Sequence, residues 1–104
     1  MPNFVRVANT SDVASGQCKV VEASGQELAL CNANGQFYAL GNTCLHHGGP
    51  LGEGFVDCVN LTVHCPWHGW IYNLADGALS SNPNAKVQKF EVKVEDDGVL
   101  VAID

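Results

Sequence analysis

The sequence predicts an all-β fold: an antiparallel β framework built from both chain ends, with a loop-rich lobe set into it. Two observations carry that expectation. Short alternating apolar runs recur at both ends, separated by Gly or Asn turns. The middle, residues 41–83, is instead dense in glycine and proline (Gly41, Gly48, Gly49, Pro50, Gly52, Gly54, Pro66, Gly69, Gly77, Pro83). Such density marks loops and tight hairpins rather than long strands. At 104 residues the whole chain, 1–104, reads as one domain with the lobe at about 42–83.

Phe4–Ala8 alternates as a first strand. Thr10–Ser15 reads as a single helical turn capped by Thr10 or Ser11. Gln17–Ala23 and Gln26–Asn32 form the next strands, turning at Ser24-Gly25. Asn34-Gly35 is a strong hairpin signal, because a type I′ turn needs positive φ at both central residues. Gln36–Leu40 then pairs back. Inside the lobe, Leu61–Cys65 and Trp70–Asn73 form a small sheet. Near the end, Phe90, Val92 and Val94 alternate with Lys89, Glu91, Lys93 and Glu95, one half-buried strand with a charged outer face. Asp97-Gly98 turns the chain into a last strand, Val99–Ile103. No heptads, repeats or low-complexity segments occur.

Composition narrows the function classes. Hydrophobic residues make up 46%, which supports a packed core and excludes a disordered chain. The net charge is −6, and the five basic residues (Arg6, Lys19, Lys86, Lys89, Lys93) form no cluster. Nucleic acid and anionic membrane are therefore poor partners, and a basic protein is a better one. The N-terminus lacks a cationic start followed by an apolar run, and no stretch approaches the roughly 18 apolar residues of a membrane helix. Five Cys are too few for a disulfide scaffold, and their odd number argues against full pairing. A cytoplasmic protein is the expectation.

The chemistry concentrates in two boxes. Cys44-Leu-His46 offers one thiolate and one imidazole, and Cys65-Pro-Trp-His68 offers another of each. With five Cys and four His, chance supplies about 0.2 Cys-x-His pairs and a similar number of Cys-x-x-His pairs. Both together, in turn-rich segments, are roughly a one-in-twenty accident. Spacing thus favours metal binding by Cys44, His46, Cys65 and His68 without identifying the metal. Two His and two Cys are the ligand set of a [2Fe-2S] centre in which imidazoles replace thiolates on one iron, and also a zinc set.

The residues around the boxes narrow the choice. Cys44-Leu-His-His-Gly-Gly-Pro-Leu-Gly-Glu-Gly, followed by Cys65-Pro-Trp-His-Gly-Trp-Ile-Tyr-Asn, closely resembles the Rieske ferredoxin family. The resemblance runs through Asp76-Gly77 and the Pro83 segment to the last hairpin. It implies the Rieske fold and one [2Fe-2S] cluster. It also implies that Cys44 and Cys65 bind one iron, while His46 and His68 bind the other at an exposed tip. Two ferric ions and two sulfides leave two positive charges, which two thiolates cancel, so an electron enters a neutral centre. The potential is therefore higher than in all-Cys ferredoxins. Glycines near the boxes (Gly48, Gly49, Gly69) suit backbone that wraps a bulky group closely.

Two departures place the chain within that superfamily. Rieske proteins of respiratory complexes carry an extra Cys in each box, and those two form a disulfide. Gly48 and Pro66 stand there instead. Those proteins also place a supporting Ser where this chain has Trp70, whereas Tyr72 keeps a hydroxyl near the second box. The resemblance with Trp70 in place implies a potential in the lower part of the Rieske range of about −150 to +300 mV.

Other polar and aromatic residues have plainer readings. His47 is expected to flank the cluster and His64 to face solvent from a strand. Cys18, Cys31 and Cys58 read as small buried hydrophobes. Trp67 and Trp70 are expected to shield the cluster from water. Pro83 resembles a proline loop covering the cluster, or else marks an ordinary turn. Glu95-Asp96-Asp97 reads as a solvated hairpin tip.

The function implied by the resemblance is a one-electron carrier, not an enzyme. It is a monomer that takes electrons from an NAD(P)H-dependent reductase and passes them to a terminal oxygenase. One alternative is the small subunit of NADH-dependent nitrite reductase, many of which lack the ligands that this chain keeps. Another is a structural Cys2His2 zinc module, against which the absence of Cys-x-x-Cys knuckles counts.

Overall fold

Turn chemistry organises the framework. The computed structural model describes residues 3–42, 49–67 and 69–103. Strand β1 (Asn3–Asn9) leads into a short 3-10 helix at Thr10–Asp12. That turn is shorter than the predicted Thr10–Ser15. It is closed from Asn9, whose backbone N–H donates to the Asp12 carboxylate at 2.9 Å. Strands β2 (Cys18–Ala23), β3 (Gln26–Ala33) and β4 (Gln36–Gly41) follow as consecutive hairpins. Ser24 and Gly25 have φ of 52° and 83°, and Asn34 and Gly35 have φ of 58° and 89°. Both two-residue turns therefore have the positive φ pair of type I′, whose twist matches the flanking strands.

The register that these turns impose gives β3 two buried faces. Leu28 and Leu30 enter one core with Val21, Phe90, Val99 and Val101. Ala29, Cys31 and Ala33 enter the other with Leu51, Cys65, Tyr72 and Leu74. A strand covered on both sides reads as a continuous apolar run, as Leu28–Cys31 does. Full burial of Leu28 and Leu30 contributes about 1.5–3 kcal/mol each. The sheet holding β3 is thus the middle layer of the molecule.

The segment after β4 forms its own sheet. Leu51–Glu53 makes a second 3-10 helix. Strands β5 (Phe55–Asp57), β6 (Thr62–His64), β7 (Ile71–Asn73), β8 (Ala78–Leu79) and β9 (Asn82–Lys86) then follow in spatial order as an antiparallel meander. This sheet is larger than the pair of runs predicted, and it extends to Lys86. Pro83 lies in edge strand β9, where a missing N–H costs no ladder bond, and not in a turn.

The predicted single strand over residues 89–95 is two strands in two sheets. β10 (Lys89–Phe90) pairs with β4, and β11 (Val92–Glu95) pairs with β12 (Gly98–Ile103). The chain crosses between sheets at Glu91, whose carbonyl accepts from the Ala102 N–H at 2.9 Å. Phe90 is consequently buried, whereas Val94 is 51% exposed. The last turn also differs by one residue. Asp96 and Asp97, at φ 49° and 67°, form it, and Gly98 already pairs with Glu95. A Cβ at Gly98 would sit 2.8 Å from the Arg6 guanidinium, a flexible side-chain end that can move aside, and 3.1 Å from the Glu95 carbonyl oxygen.

Candidate metal centre

The second box occupies a hairpin tip. β6 and β7 pair up to His64↔Ile71, and the Cys65 N–H then donates to the Trp70 carbonyl at 2.8 Å. Pro66 and Trp67 lie beyond that pair, as does Gly69 at φ 69°. Cys65 itself is 2% exposed and packs in the core that contains Leu51, Leu74 and Tyr72. A thiolate placed there faces little water. As a thiolate Cys65 would need a positive counter-charge such as a metal, whereas as a neutral thiol it would not.

In the sequence the first box lies between Asn42 and Pro50. Cys44, His46 and His47 fall outside the described residues, as does His68 of the second box. The residues on either side of that segment are tied together. Buried Asn42 accepts from the Leu51 N–H through its carbonyl and from the Gly52 N–H through Oδ1, both at 2.7 Å. One asparagine therefore pinches both ends of the segment together. Sequence reading missed this role. The only local signal is an Asn opening a glycine-rich stretch, a common turn residue.

Close approaches bring Gly49 and Trp67, which flank the two boxes in sequence, together. A Cβ on Gly49 would lie 2.9 Å from the Trp67 ring, so the chain after the first box rests on the indole of the second. Gly49 stands three residues after His46, and Trp67 stands one before His68. Farther in, a Cβ on Gly54 would lie only 1.8 Å from the His64 carbonyl oxygen, so the chain after the 3-10 helix abuts the strand that delivers Cys65. Gly52 presses on Val20 of β2 in the same way. The cradle is built from backbone, which only glycine permits at such spacing. This juxtaposition, with a donor set of two thiolates and two imidazoles, fits a bridged diiron cluster.

The surrounding residues behave in mixed ways. Trp70 packs against the core around Cys65, as shielding requires, whereas Trp67 remains 49% exposed. Tyr72 is fully buried in that core. His64 is only partly exposed and stacks on Phe55, with ring centroids 4.4 Å apart. It does not simply face solvent. Asp57 accepts from the Asn60 side chain and from the Asn60 and Val59 amides. These bonds hold its carboxyl below the usual range.

Of the three remaining cysteines, only Cys31 is buried as predicted. Cys18 and Cys58 are partly exposed. The expectation failed for Cys18 because it sits on outer strand β2, and for Cys58 because it follows β5 into a surface turn.

Comparison with known proteins agrees with the geometry. Human "Apoptosis-inducing factor 3" is 38% identical over 96 residues, which is 91% of this chain. The chain spans only 16% of that protein's length. "Ferredoxin CarAc" of Metapseudomonas resinovorans is 34% identical, with 95% of this chain and 92% of that protein covered. The solved ferredoxin of carbazole 1,9a-dioxygenase from Nocardioides aromaticivorans IC177 superposes with a TM-score of 0.88 at 26% identity, covering 98% of this chain and 99% of that one. A solved Mycobacterium tuberculosis chain, provisionally described as an NADH-dependent nitrite reductase small subunit, superposes at 0.89 over 100% of this chain and 97% of its own, but at 22% identity the likeness shows the fold alone. The profile of the Rieske [2Fe-2S] domain matches residues 3–96. With its all-β sheets and its buried cysteine at a hairpin tip, the chain belongs to the Rieske [2Fe-2S] domain family, whose group is one [2Fe-2S] cluster.

Proposed function

We propose that this chain is a one-electron carrier. Its cluster is held by Cys44 and Cys65 on the inner iron and by His46 and His68 on the outer iron. The ligand assignment is supported by the two Cys/His boxes of the sequence, by buried Cys65 and by the close approach of Gly49 to Trp67, which flank those boxes in the chain. When bound, the cluster supplies reversible one-electron chemistry. The protein's part is to keep the thiolate side dry through the core of Leu51, Leu74 and Tyr72. Trp67, next to His68 in the chain, is half-exposed, as an edge that meets a partner would be.

The partners that fit are an NAD(P)H-dependent reductase as donor and a terminal oxygenase as acceptor. Support comes from the likeness to the carbazole dioxygenase ferredoxin over almost the full length of both chains. The chain acts as one domain over 1–104, with its lobe at about 42–83, as a monomer in the cytoplasm. No helix is long and apolar enough to cross a membrane among the described residues.

Anaerobically purified protein tests the reading. It should hold iron and acid-labile sulfide in equal amounts, near two of each per chain, and show a rhombic paramagnetic signal on reduction. Cys65→Ser should lose most of that signal. Zinc without sulfide would overturn the proposal. A second reading keeps the cluster but places this domain within a longer polypeptide, and the 38%-identical relative, of which it spans 16%, favours it. The intact mass of the native protein separates the two.

A further inference from the structure

We propose that Cys18 and Cys31 form a reversible dithiol–disulfide site on the sheet that backs the cluster lobe, oxidised by a hydroperoxide. The two residues stand directly opposite each other on β2 and β3. The turn between these strands has two residues, so Ala23 and Gln26 close it as a hydrogen-bonded pair. Hydrogen-bonded and non-bonded pairs alternate from there, which puts Cys18–Cys31 in the non-bonded class. The neighbouring Asn32 N–H donates to the Gln17 carbonyl at 3.1 Å, as that alternation requires.

Non-bonded pairs hold their Cα atoms about 4.5 Å apart, inside the range a disulfide accepts but near its short end. The sulfurs are 3.4 Å apart, with the Cys31 thiol donating to Cys18. Bond formation draws them together by about 1.4 Å, shared between two side chains. Cys18 is partly exposed, so a thiol reductant can reach the bond and restore both thiols, which makes the site reversible.

The two thiols have different surroundings. Cys31 is fully buried, and Cys18 is partly exposed on an outer strand. The hydrogen bond to Cys18, together with burial, pushes the Cys31 thiol well above its ordinary range. Cys18 is therefore the sulfur that meets the oxidant. Its thiolate attacks the terminal oxygen of the hydroperoxide. The O–O bond breaks, the alcohol (or water) leaves with a proton, and Cys18 becomes a sulfenic acid. The Cys31 sulfur then attacks Cys18. The S–S bond forms, the S–O bond breaks, and water departs. Two electrons pass from the two sulfurs to the peroxide.

The location links this chemistry to the lobe. Cys31 shares its core with Cys65 and Leu51, and Gly52 rests on Val20 of the same strand as Cys18. Cys58 stands apart, with its sulfur 3.5 Å from the Ser15 hydroxyl, and serves as an internal control.

The test uses holoprotein with its cluster oxidised. Equimolar hydrogen peroxide is added, the sample is acid-quenched, and thiols are alkylated after unfolding and mapped by peptide mass spectrometry. Cys18 and Cys31 should lose alkylation together and appear as one linked peptide lighter by two hydrogens. Cys58 should remain alkylated, and dithiothreitol should restore both thiols. Cys18→Ser should leave Cys31 alkylated, and Cys31→Ala should trap a dimedone-reactive Cys18. Persistence of both thiols, a linkage through Cys58, or irreversible oxidation of Cys18 without linkage overturns the proposal. Cys18 is partly exposed, so its serine variant remains informative if Cys31→Ala fails to fold.

Discussion

Replacing Gly54 with alanine tests whether the lobe is docked by backbone contact. The φ of Gly54 is −82°, which any residue adopts, so conformational freedom does not explain the glycine. The new methyl carbon would lie 1.8 Å from the His64 carbonyl oxygen, 2.9 Å from its carbon and 3.2 Å from the Leu51 carbonyl oxygen. Ordinary contact needs a separation of 3.4 Å or more, so a displacement exceeding an ångström is unavoidable. Nothing flexible is available to move. The His64 carbonyl belongs to β6, paired on both sides, and the Leu51 carbonyl accepts the Gly54 N–H at 3.1 Å. Overpacking of this kind costs about 1–3 kcal/mol where side chains adjust, and two rigid backbones put it at about 3 kcal/mol or more. For a domain of this size each kcal/mol lowers the melting temperature by about 4–8 °C, so a fall of about 12–24 °C follows. Differential scanning calorimetry of the holoprotein measures it, with cluster absorbance followed in parallel. Gly35→Ala is the control: φ is 89° but space is open, so only the strain of about 1–2 kcal/mol applies. A Gly54→Ala protein melting within about 3 °C of wild type would refute the packing argument.

Asn42→Ala removes the acceptor for the buried Gly52 N–H and should cost about 1–3 kcal/mol in urea unfolding, while Asn42→Asp, which keeps an oxygen there, should recover much of it. Protein-film voltammetry should place the potential in the lower part of the range of about −150 to +300 mV, and a value above about +200 mV contradicts the reading of Trp70. Because the Cys31 thiol lies above its unfolded value, its contribution to stability is complete below about pH 8.5 and is lost as pH rises through the folded value. Melting temperatures from pH 8 to pH 10 should therefore fall more steeply for wild type than for Cys31→Ala, and parallel slopes would contradict this.

Local chemistry was readable in the chain wherever a few consecutive residues suffice. The turns at Ser24-Gly25 and Asn34-Gly35 are correct because positive φ is a property of the turn itself. The box spacings could be read for the same reason, since each box is a run of three or four consecutive residues. Alternation over residues 89–95 predicted strand, but one pattern cannot say that Phe90 joins β4 while Val92 joins β12. Asp96 was hidden behind the strong Asp97-Gly98 signal, although it is Asp96 and Asp97 that carry the positive φ of the turn.

The residue pattern alone determined the β class, the two hairpins and the family resemblance, because each depends on dihedral preference or on neighbours in the chain. Only the folded arrangement decided that Asn42 clamps the first-box segment, that Gly49 meets Trp67, and that Cys18 faces Cys31. Those pairs lie between 10 and 18 positions apart. Register, close approach and burial bring them together, and none of the three is a property of any short segment.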